Sequence, residues 1–507
     1  MNKKIHLLED LKKILKNKKR DGKKIVLCHG VFDLLHIGHI NHFKEAKSFG
    51  DILVVTLTSD QYVYKGPNRP AFGEQNRLSA VAALDVVDFV ALNKNSTAIP
   101  AINELKPDIY CKGPDYTIHK NDTSGEIKNE ISALKKNKGK ILYTSGTTYS
   151  SSKLINQFTD SYSSRQKSDI GKIKKRYSFP NIKSSIENFS KLKVLVIGET
   201  IIDEYNFCEA LGKSGKEPML VLRDLKTEQY LGGAVAIARH LSQFCKKITL
   251  SSMLGEKKEF LKDIKKRLPK NINFDYIAKK NSPTILKKRF LDNISNNKVL
   301  GVYKLNDDPL TNKEEKIFNN KLKKLLKSHD LVIVSDYGHG LISKKSAEII
   351  SRKSKYLALN AQVNAANVGY HSMRKYKNID CVIINEKEIR HELRSKNEKI
   401  ETLMKRLSYE QKIKNLVVTR GTEGSLLYNK ENNKFNFSDA FAKKAVDKIG
   451  AGDAMLSLIA LSLKSGFIGE LALLTGSMAG AHSVEVIGNK ESIEKRKILK
   501  SIEHILK

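Results

Sequence analysis

Short apolar runs alternate with segments of helical spacing through the first third of the chain. Ile25 to Cys28 reads as a buried strand, followed by a glycine-containing turn and a helix opening near Gly38. Asp51 to Leu57 is a second strand, Glu74 to Leu84 a helix, and Val87 to Leu92 a third strand. A helix over Ile99 to Leu105, a strand ending at Lys112, a helix around Glu126 to Lys136 and a strand over Lys140 to Tyr143 complete the series. Upstream, Leu7, Leu8, Leu11, Ile14 and Leu15 form the apolar face of a docking helix. Strands alternating with helices imply a parallel sheet of about five strands covered on both faces. In such sheets ligands bind at the carboxyl ends of the strands.

The pattern breaks from about Thr159 to Lys191, where Ser, Lys and a single Pro predict a linker and a short helix. Strands then recur at Lys193 to Ile197, Lys247 to Ser252, Asp330 to Val334, Tyr356 to Leu359, Asp380 to Ile384 and Lys414 to Thr419, mostly with helical stretches between. Tyr205 to Arg223 and Thr284 to Leu305 read as an added small sheet, a lid. The expected division is a first domain over residues 1–160, a linker over 161–190 and a second α/β domain over 191–507.

Charge changes this picture little. Lys and Arg number 91 against 55 Asp and Glu, a net +36, which suggests polyanionic partners. The excess is mostly lysine spread through helices and loops, without a nucleic-acid recognition motif, so phosphate-bearing small molecules are expected and specific nucleic acid binding is not. The five cysteines lie far apart with no C-x-x-C pair, which predicts buried, reduced thiols and neither a disulfide framework nor a zinc site. The first twenty residues are too charged for a signal peptide, and no run approaches the ~20 apolar residues of a membrane span. A soluble, cytoplasmic protein with no membrane partner is the expectation.

The first candidate site is the turn after strand Ile25 to Cys28. His36 and His39 flank Ile37 and Gly38 where a helix opens. A helix start presents unpaired N–H groups and a positive dipole end, which suit a phosphate, and Gly38 permits close backbone approach. Two imidazoles there can stabilise charge developing on the α-phosphate of a triphosphate. Lys65, Arg69 and Arg77, in KGPNRP and EQNR, offer positive charge. Lys112 begins a K-G-P-D-Y turn after a strand, and the hydroxyl run through Ser150, Ser151 and Ser152 precedes a helix as a further anion cradle.

Over about residues 5–158 these motifs resemble the nucleotidyltransferase superfamily that includes cytidylyltransferases and heptose-phosphate nucleotidyltransferases. The resemblance implies a Rossmann-like H-x-G-H domain that joins a nucleoside triphosphate to a sugar phosphate and releases pyrophosphate. It implies catalytic roles for His36, His39 and Lys65. Gly30, Phe32, Gly38, Arg69, Arg77, Lys112 and Ser150 to Ser152 would contact nucleotide or phosphate. The nucleotide is ATP or CTP.

The second candidate site is Asp447-Lys448-Ile449-Gly450-Ala451-Gly452-Asp453, running into the apolar helix Leu456 to Leu463. Gly450 to Gly452 give unhindered N–H groups to hold a transferring phosphoryl group, and Asp453 is placed to accept the proton of an attacking hydroxyl. An ordinary Asp, with a pKa of about 4, is already ionised at neutral pH, so its value as a base rests on position. Upstream lie Asn385-Glu386-Lys387-Glu388 and Val418-Thr419-Arg420-Gly421. In order and spacing, residues 191–507 resemble the ribokinase-type (PfkB) carbohydrate kinases. The resemblance implies a ribokinase-like domain with a small β lid, using ATP and Mg2+. Asp453 would be the base, and Gly450, Ala451 and Gly452 the anion hole. Asn385, Glu388, Thr419 and Gly421 would lie along the nucleotide, with Glu388 helping to place the metal. Asp203, Gly232, Gly233 and Asp336 would hold the sugar, and the lid is a candidate homodimer surface.

The pair of domains resembles the bifunctional enzymes of ADP-heptose synthesis, in which the kinase comes first; here the order is reversed. The kinase half departs from that pattern at Ala236, where an Asn is usual, at Asn360-Ala361-Gln362, and at His339, where a Lys is common. Fewer lysines at these positions weaken the case for a doubly anionic acceptor, so a related but different sugar is the expectation. A non-catalytic kinase-like module and a CTP-using transferase are the alternatives.

Overall fold

A computed structural model describes residues 3–66, 69–114, 126–145, 162–442 and 445–506. The chain divides into two compact units, Met1–Ser163 with Leu499–Lys507, and Ser164–Ile498. Among the described residues no helix is long and apolar enough to cross a membrane.

The first unit is built on six strands, β1 (Ile5–His6), β2 (Ile25–Gly30), β3 (Ile52–Thr58), β4 (Phe89–Asn93), β5 (Ile109–Lys112) and β6 (Lys140–Tyr143). Their order is β1-β4-β3-β2-β5-β6 and every pairing is parallel. The sixth strand, β1, is a two-residue edge that the hydrophobic pattern does not reveal. Successive connections leave β2 in opposite directions across the sheet, so the crevice between the ends of β2 and β5 is the topological switch point. Helices α1 (Leu8–Arg20), α2 (Ile37–Ser48), α3 (Glu74–Ala82), α4 (Ile99–Leu105) and α5 (Ile127–Lys136) cover the sheet. The docking helix buries Leu11 and Leu15 in one core layer, and α2 buries Phe43 in the other. The closing segment packs here too: Ser501 and Ile502 are fully buried, and Ser501 stands against Gly66.

The second unit has a nine-stranded sheet of β7 (Lys193–Gly198), β10 (Lys247–Gly255), β11 (Ile272–Lys279), β14 (Leu331–Asp336), β15 (Leu357–Ala361), β16 (Ile379–Asn385), β17 (Ile413–Thr419), β18 (Ser425–Asn429) and β19 (Lys434–Ser438). The order is β11-β10-β7-β14-β15-β16-β17-β18-β19, parallel as far as β17 and antiparallel beyond it. A separate four-stranded sheet joins β8 (Thr200–Lys213), β9 (Leu220–Gly233), β12 (Ile285–Asp292) and β13 (Lys298–Lys304) in the order β13-β12-β8-β9. This is the added sheet expected from the two segments between the core strands. The long strands β8 and β9 are buried at the base and exposed toward their shared turn.

The stretch read as linker is largely helical. Ser164–Arg176 and Phe179–Asn188 are helices that bury Ile170, Ile173, Ile182 and Ile186 and belong to the second unit. Their lysine- and serine-rich faces hide an apolar stripe in which Ile recurs at three- and four-residue spacing.

Candidate active sites

In the first unit, the chain leaves β2 through a tight turn in which Phe32 adopts a left-handed φ of 49°. A side chain at Gly30 would meet the Phe32 ring at 2.9 Å, so glycine lets that ring lie directly over the end of β2. Asp33 is buried and accepts hydrogen bonds from the Ala71 and Phe72 backbone N–H groups, both at 3.0 Å. His36 caps α2, its Nδ1 accepting from the Gly38 N–H at 3.1 Å. His39, one turn into the helix, stacks on His36 with ring centres 3.9 Å apart and planes 21° apart. The Phe32 ring meets His39 edge-on at 5.3 Å.

Burial, His36 and Lys65 together push His39 down to about 3. Burial and Lys65 also lower His36. Two neutral imidazoles therefore sit at a helix N-terminus with a lysine beside them, an arrangement short of negative charge. The structure brings together Gly30, Phe32, His36, Gly38, His39 and Lys65. Lys112, at the end of β5, pairs with Glu130 at 3.3 Å, and Glu130 also accepts from the Tyr110 hydroxyl at 3.1 Å.

The two arginines are placed differently from the sequence expectation. Arg77 is fully buried and donates to the carbonyls of Phe72, Val31 and Thr58 and to the Asp60 carboxylate. It ties the loop after β3 to the turn after β2, and its guanidinium has no face left for a triphosphate. Helical spacing alone does not separate such an inward arginine from an outward one. Arg69 lies 3.3 Å from Asp33, with its side chain 6% exposed. Ser150, Ser151 and Ser152, and Asp115 and Tyr116 of the second turn, lie outside the described residues.

In the second unit, a cavity of about 650 Å3 opens between the lid and the carboxyl ends of the core strands. Asp203, Gly233, Asn385, Glu388, Thr419, Gly421, Gly450, Ala451, Gly452 and Asp453 all line it. Gly450 has φ 91° and caps the helix Ala451–Lys464, which begins at the cavity. Asp453, in the first turn, accepts from the Tyr337 hydroxyl at 3.0 Å. Burial pushes Asp453 up to about 7, against the ordinary value near 4. Position alone is therefore not the whole account of this carboxyl: desolvation also makes it a stronger base.

Asn385 and Glu388 form a reciprocal cap on the helix Glu386–Glu392: the Asn385 side chain accepts from the Glu388 N–H at 2.9 Å, and the Glu388 carboxylate accepts from the Asn385 N–H at 2.8 Å. Burial raises Glu388 to about 7. A buried carboxyl pushed toward its neutral form, beside a second one, is an environment that a divalent cation would relieve.

Gly232 and Asp336 do not line the cavity. Gly232 stands behind Asp203, where an added Cβ would lie 2.1 Å from the Asp203 carboxylate. Asp336 is fully buried and committed to Lys375 and the Tyr376 hydroxyl, each at 2.7 Å. Of the three departures, only the Asn360-Ala361-Gln362 turn reaches the cavity, through Asn360 and Gln362. His339 is buried with its ring on Asp307, and Ala236 is buried in a helix.

The sequence reading missed the lid's cations. Residues two apart on a strand share a face, so Lys287 and Arg289 of β12 both point into the cavity beside Asp203 of β8, which pairs with Lys287 in register. Arg289 lies 2.5 Å from Asp203. Tyr303 and Tyr337 flank Lys287 at 5.4 and 5.8 Å. The alternating K-x-R in ILKKRFLD carried the signal, once the segment was read as a strand.

A glycine-rich helix start carrying a buried carboxyl in its first turn, open to a lidded cavity, is suited to phosphoryl transfer, and it follows in the chain a separate α/β unit with an H-x-G-H helix start. The chain belongs to the pfkB family of carbohydrate kinases, whose model matches residues 191–496. Residues 27–157 match the cytidylyltransferase-like model.

Among curated relatives, the bifunctional protein HldE of Geotalea uraniireducens is 46% identical over 116 residues, 22% of this chain and 24% of that one. The HldE of Campylobacter fetus subsp. fetus is 49% identical over 100 residues, 19% of this chain and 22% of that one. The matched stretch thus spans about a quarter of these relatives. Phosphofructokinase-2 from Escherichia coli, in complex with potassium, aligns with a TM-score of 0.52 at 16% identity, covering 62% of this chain and 100% of that one. The same enzyme with substrates and products gives 0.51 at 16% identity over 62% and 99%. At this identity the likeness establishes the fold.

Replacing Arg77 by Met leaves three backbone carbonyls and Asp60 without their donor. The change is expected to destabilise the first unit by about 3 kcal/mol. Urea unfolding followed by amide exchange in β2 and β3 measures it, with protection in β14 and β16 unchanged.

Proposed function

We propose that the chain is a bifunctional sugar kinase and sugar-phosphate nucleotidyltransferase that makes a nucleotide-activated sugar of the ADP-heptose kind and releases pyrophosphate. The observation that carries the kinase reading is the meeting of Asp453, the Gly450 to Gly452 helix start and the lid's Asp203, Lys287 and Arg289 in one cavity. Asp453 takes the proton of the acceptor hydroxyl as its oxygen attacks the γ-phosphorus of ATP. The N–H groups of the helix start hold the transferring phosphoryl oxygens, and ADP leaves. Glu388 would hold Mg2+, which neutralises the phosphates. Thr419 and Gly421 would lie along the nucleotide.

Lys287 and Arg289 supply positive charge that the turn positions lack, which supports a phosphorylated sugar as acceptor. At the first site, the stacked His36 and His39 with Lys65 would grip the triphosphate at the helix start. They would stabilise the α-phosphate as the sugar phosphate displaces pyrophosphate. The similarity of residues 27–157 to the cytidylyltransferase-like model, and of part of the chain to the HldE proteins, supports this half.

The deciding measurement is pyrophosphate release by the whole protein with ATP, CTP, GTP and UTP against a panel of sugar 1-phosphates. ATP with a heptose phosphate is the expected pair; a signal with CTP alone overturns the ADP-heptose assignment. His39→Ala is expected to lower this rate by at least about 100-fold and to leave kinase turnover intact.

Because Asp453 sits near 7 and must be deprotonated to act, the kinase kcat/KM is expected to rise about tenfold per pH unit below that value and to level off above it. Asp453→Asn should remove the rise along with nearly all turnover, and a flat profile in the parent enzyme contradicts the role.

Leu211, Leu220, Leu225, Leu300 and Val302 expose apolar side chains on the lid, which supports a homodimer through that sheet. Leu300→Lys is expected to shift sedimentation from dimer to monomer.

A further inference from the structure

Among the described residues, one group of three metal-ligating side chains comes together, and it lies outside both proposed sites. The sulfurs of Cys28 and Cys111 and an imidazole nitrogen of His42 are all within 4.8 Å of one another. Cys28 and Cys111 are directly opposite each other on the adjacent parallel strands β2 and β5, so their side chains leave the sheet on the same face. Both are fully buried, in the core layer that also holds Phe43 of α2. His42 precedes Phe43 on that helix and supplies the third ligand atom. The three positions are separated by 14 and 69 residues (42 − 28 and 111 − 42), which is why no sequence pattern of metal-ligand spacing is visible.

The chemistry of the set favours a soft cation. Thiolate and imidazole are the ligands of Zn2+, with Zn–S near ~2.3 Å and Zn–N near ~2.0 Å. Tetrahedral placement at those lengths separates ligand atoms by roughly 3.3–3.8 Å, so the present group closes on an ion with shifts of about 1 Å or less. The imidazole is already oriented for it. Nδ1 of His42 lies 3.0 Å from the Thr144 hydroxyl, which in turn reaches the Lys112 carbonyl at 3.5 Å. In the tautomer protonated at Nδ1, that nitrogen donates to the hydroxyl and leaves Nε2 as the ligand atom. Metal-bound histidines characteristically carry such an outer hydrogen bond.

Charge balance points the same way. Two thiolates, a neutral imidazole and one dication sum to zero, which is the form that tolerates this depth. The nearby Lys112 is matched by Glu130 at 3.3 Å.

We propose that Cys28, Cys111 and His42 form a binding site for a thiophilic divalent cation of the Zn2+ type. The ion would pin α2 to the two central strands. Since the first turn of α2 carries His36 and His39, it would hold those rings in register with the ends of β2 and β5. The proposal rests on the ligand geometry and stands apart from the assignment of the nucleotidyltransferase reaction.

The test uses the whole protein, stripped with chelator under reducing conditions and titrated with Co2+. Uptake of about one equivalent with a thiolate-to-cobalt charge-transfer band is expected, displaced by Zn2+. The band should be lost in Cys111→Ser and weakened in His42→Ala. It should persist in Cys381→Ser, a control at another buried cysteine. Zn2+ should also raise the unfolding temperature of the unsubstituted protein, a readout that does not depend on the variants folding. Absence of the band in the unsubstituted protein, its survival in Cys111→Ser, or conversion of Cys28 and Cys111 to a disulfide without metal uptake would overturn the proposal.

Discussion

A strand that must pair in parallel with its neighbour cannot turn straight back; the chain has to cross over, and here it does so through helices. Each crossover leaves a strand's carboxyl end beside a helix's unpaired N–H groups. The first unit of this protein is built on that constraint throughout, and the second as far as β17. In the first, β2 delivers His36 and His39 to the start of α2 at the point where the strand order reverses. In the second, the helix opening at Gly450 follows the antiparallel strand β19 and is no crossover, yet it too starts beside the carboxyl ends of β15, β16 and β17. Neither site needs an unusual fold. Each needs a glycine where the backbone turns under steric restriction, and a short list of side chains set at the rim.

Desolvation acts at both rims with opposite sign. It keeps His29, His39 and His42 neutral, at about 4, 3 and 4, and keeps Asp453, Glu388 and Glu199 protonated up to about 7. For the histidines the unfolded chain takes up protons below about 6.5 that the folded unit refuses, so they draw stability out of the first unit as pH falls from there toward 4. For the carboxyls the folded form holds protons that the unfolded form has lost. Their contribution therefore declines as pH rises from about 4 through 7. Burial thus leaves the first site short of negative charge and the second with carboxyls held toward their neutral form.

What could be read in the sequence was local. H-x-G-H, G-A-G-D and the N-x-x-E cap are each complete within a few residues, and the structure places their members together. What could not be read depends on burial or on distant pairing. Arg77 looks like a phosphate ligand until its helix face is known, and Asp336 like a sugar ligand until Lys375 and Tyr376 close over it. Lys287 and Arg289 matter because β12 pairs with β8 and turns their shared face inward. The residues taken for a linker are helical because their few isoleucines have a surface to cover, which composition alone does not report. Cys28 and Cys111 meet only because β2 and β5 are neighbours across the switch in strand order.

The closing residues Leu499–Lys507 have a consequence for the order in which this protein is made. They are counted with the first unit, where Ser501 and Ile502 are buried, although more than three hundred residues of the second unit are synthesised in between. The nucleotidyltransferase-like unit therefore leaves the ribosome first but receives its last packing segment only after the kinase unit has been translated. Joining ends that far apart adds only a slowly growing, logarithmic entropy term. Vectorial synthesis thus imposes a sequence of events on the chain: residues 499–507 can join the first unit only once the residues of the second have been made.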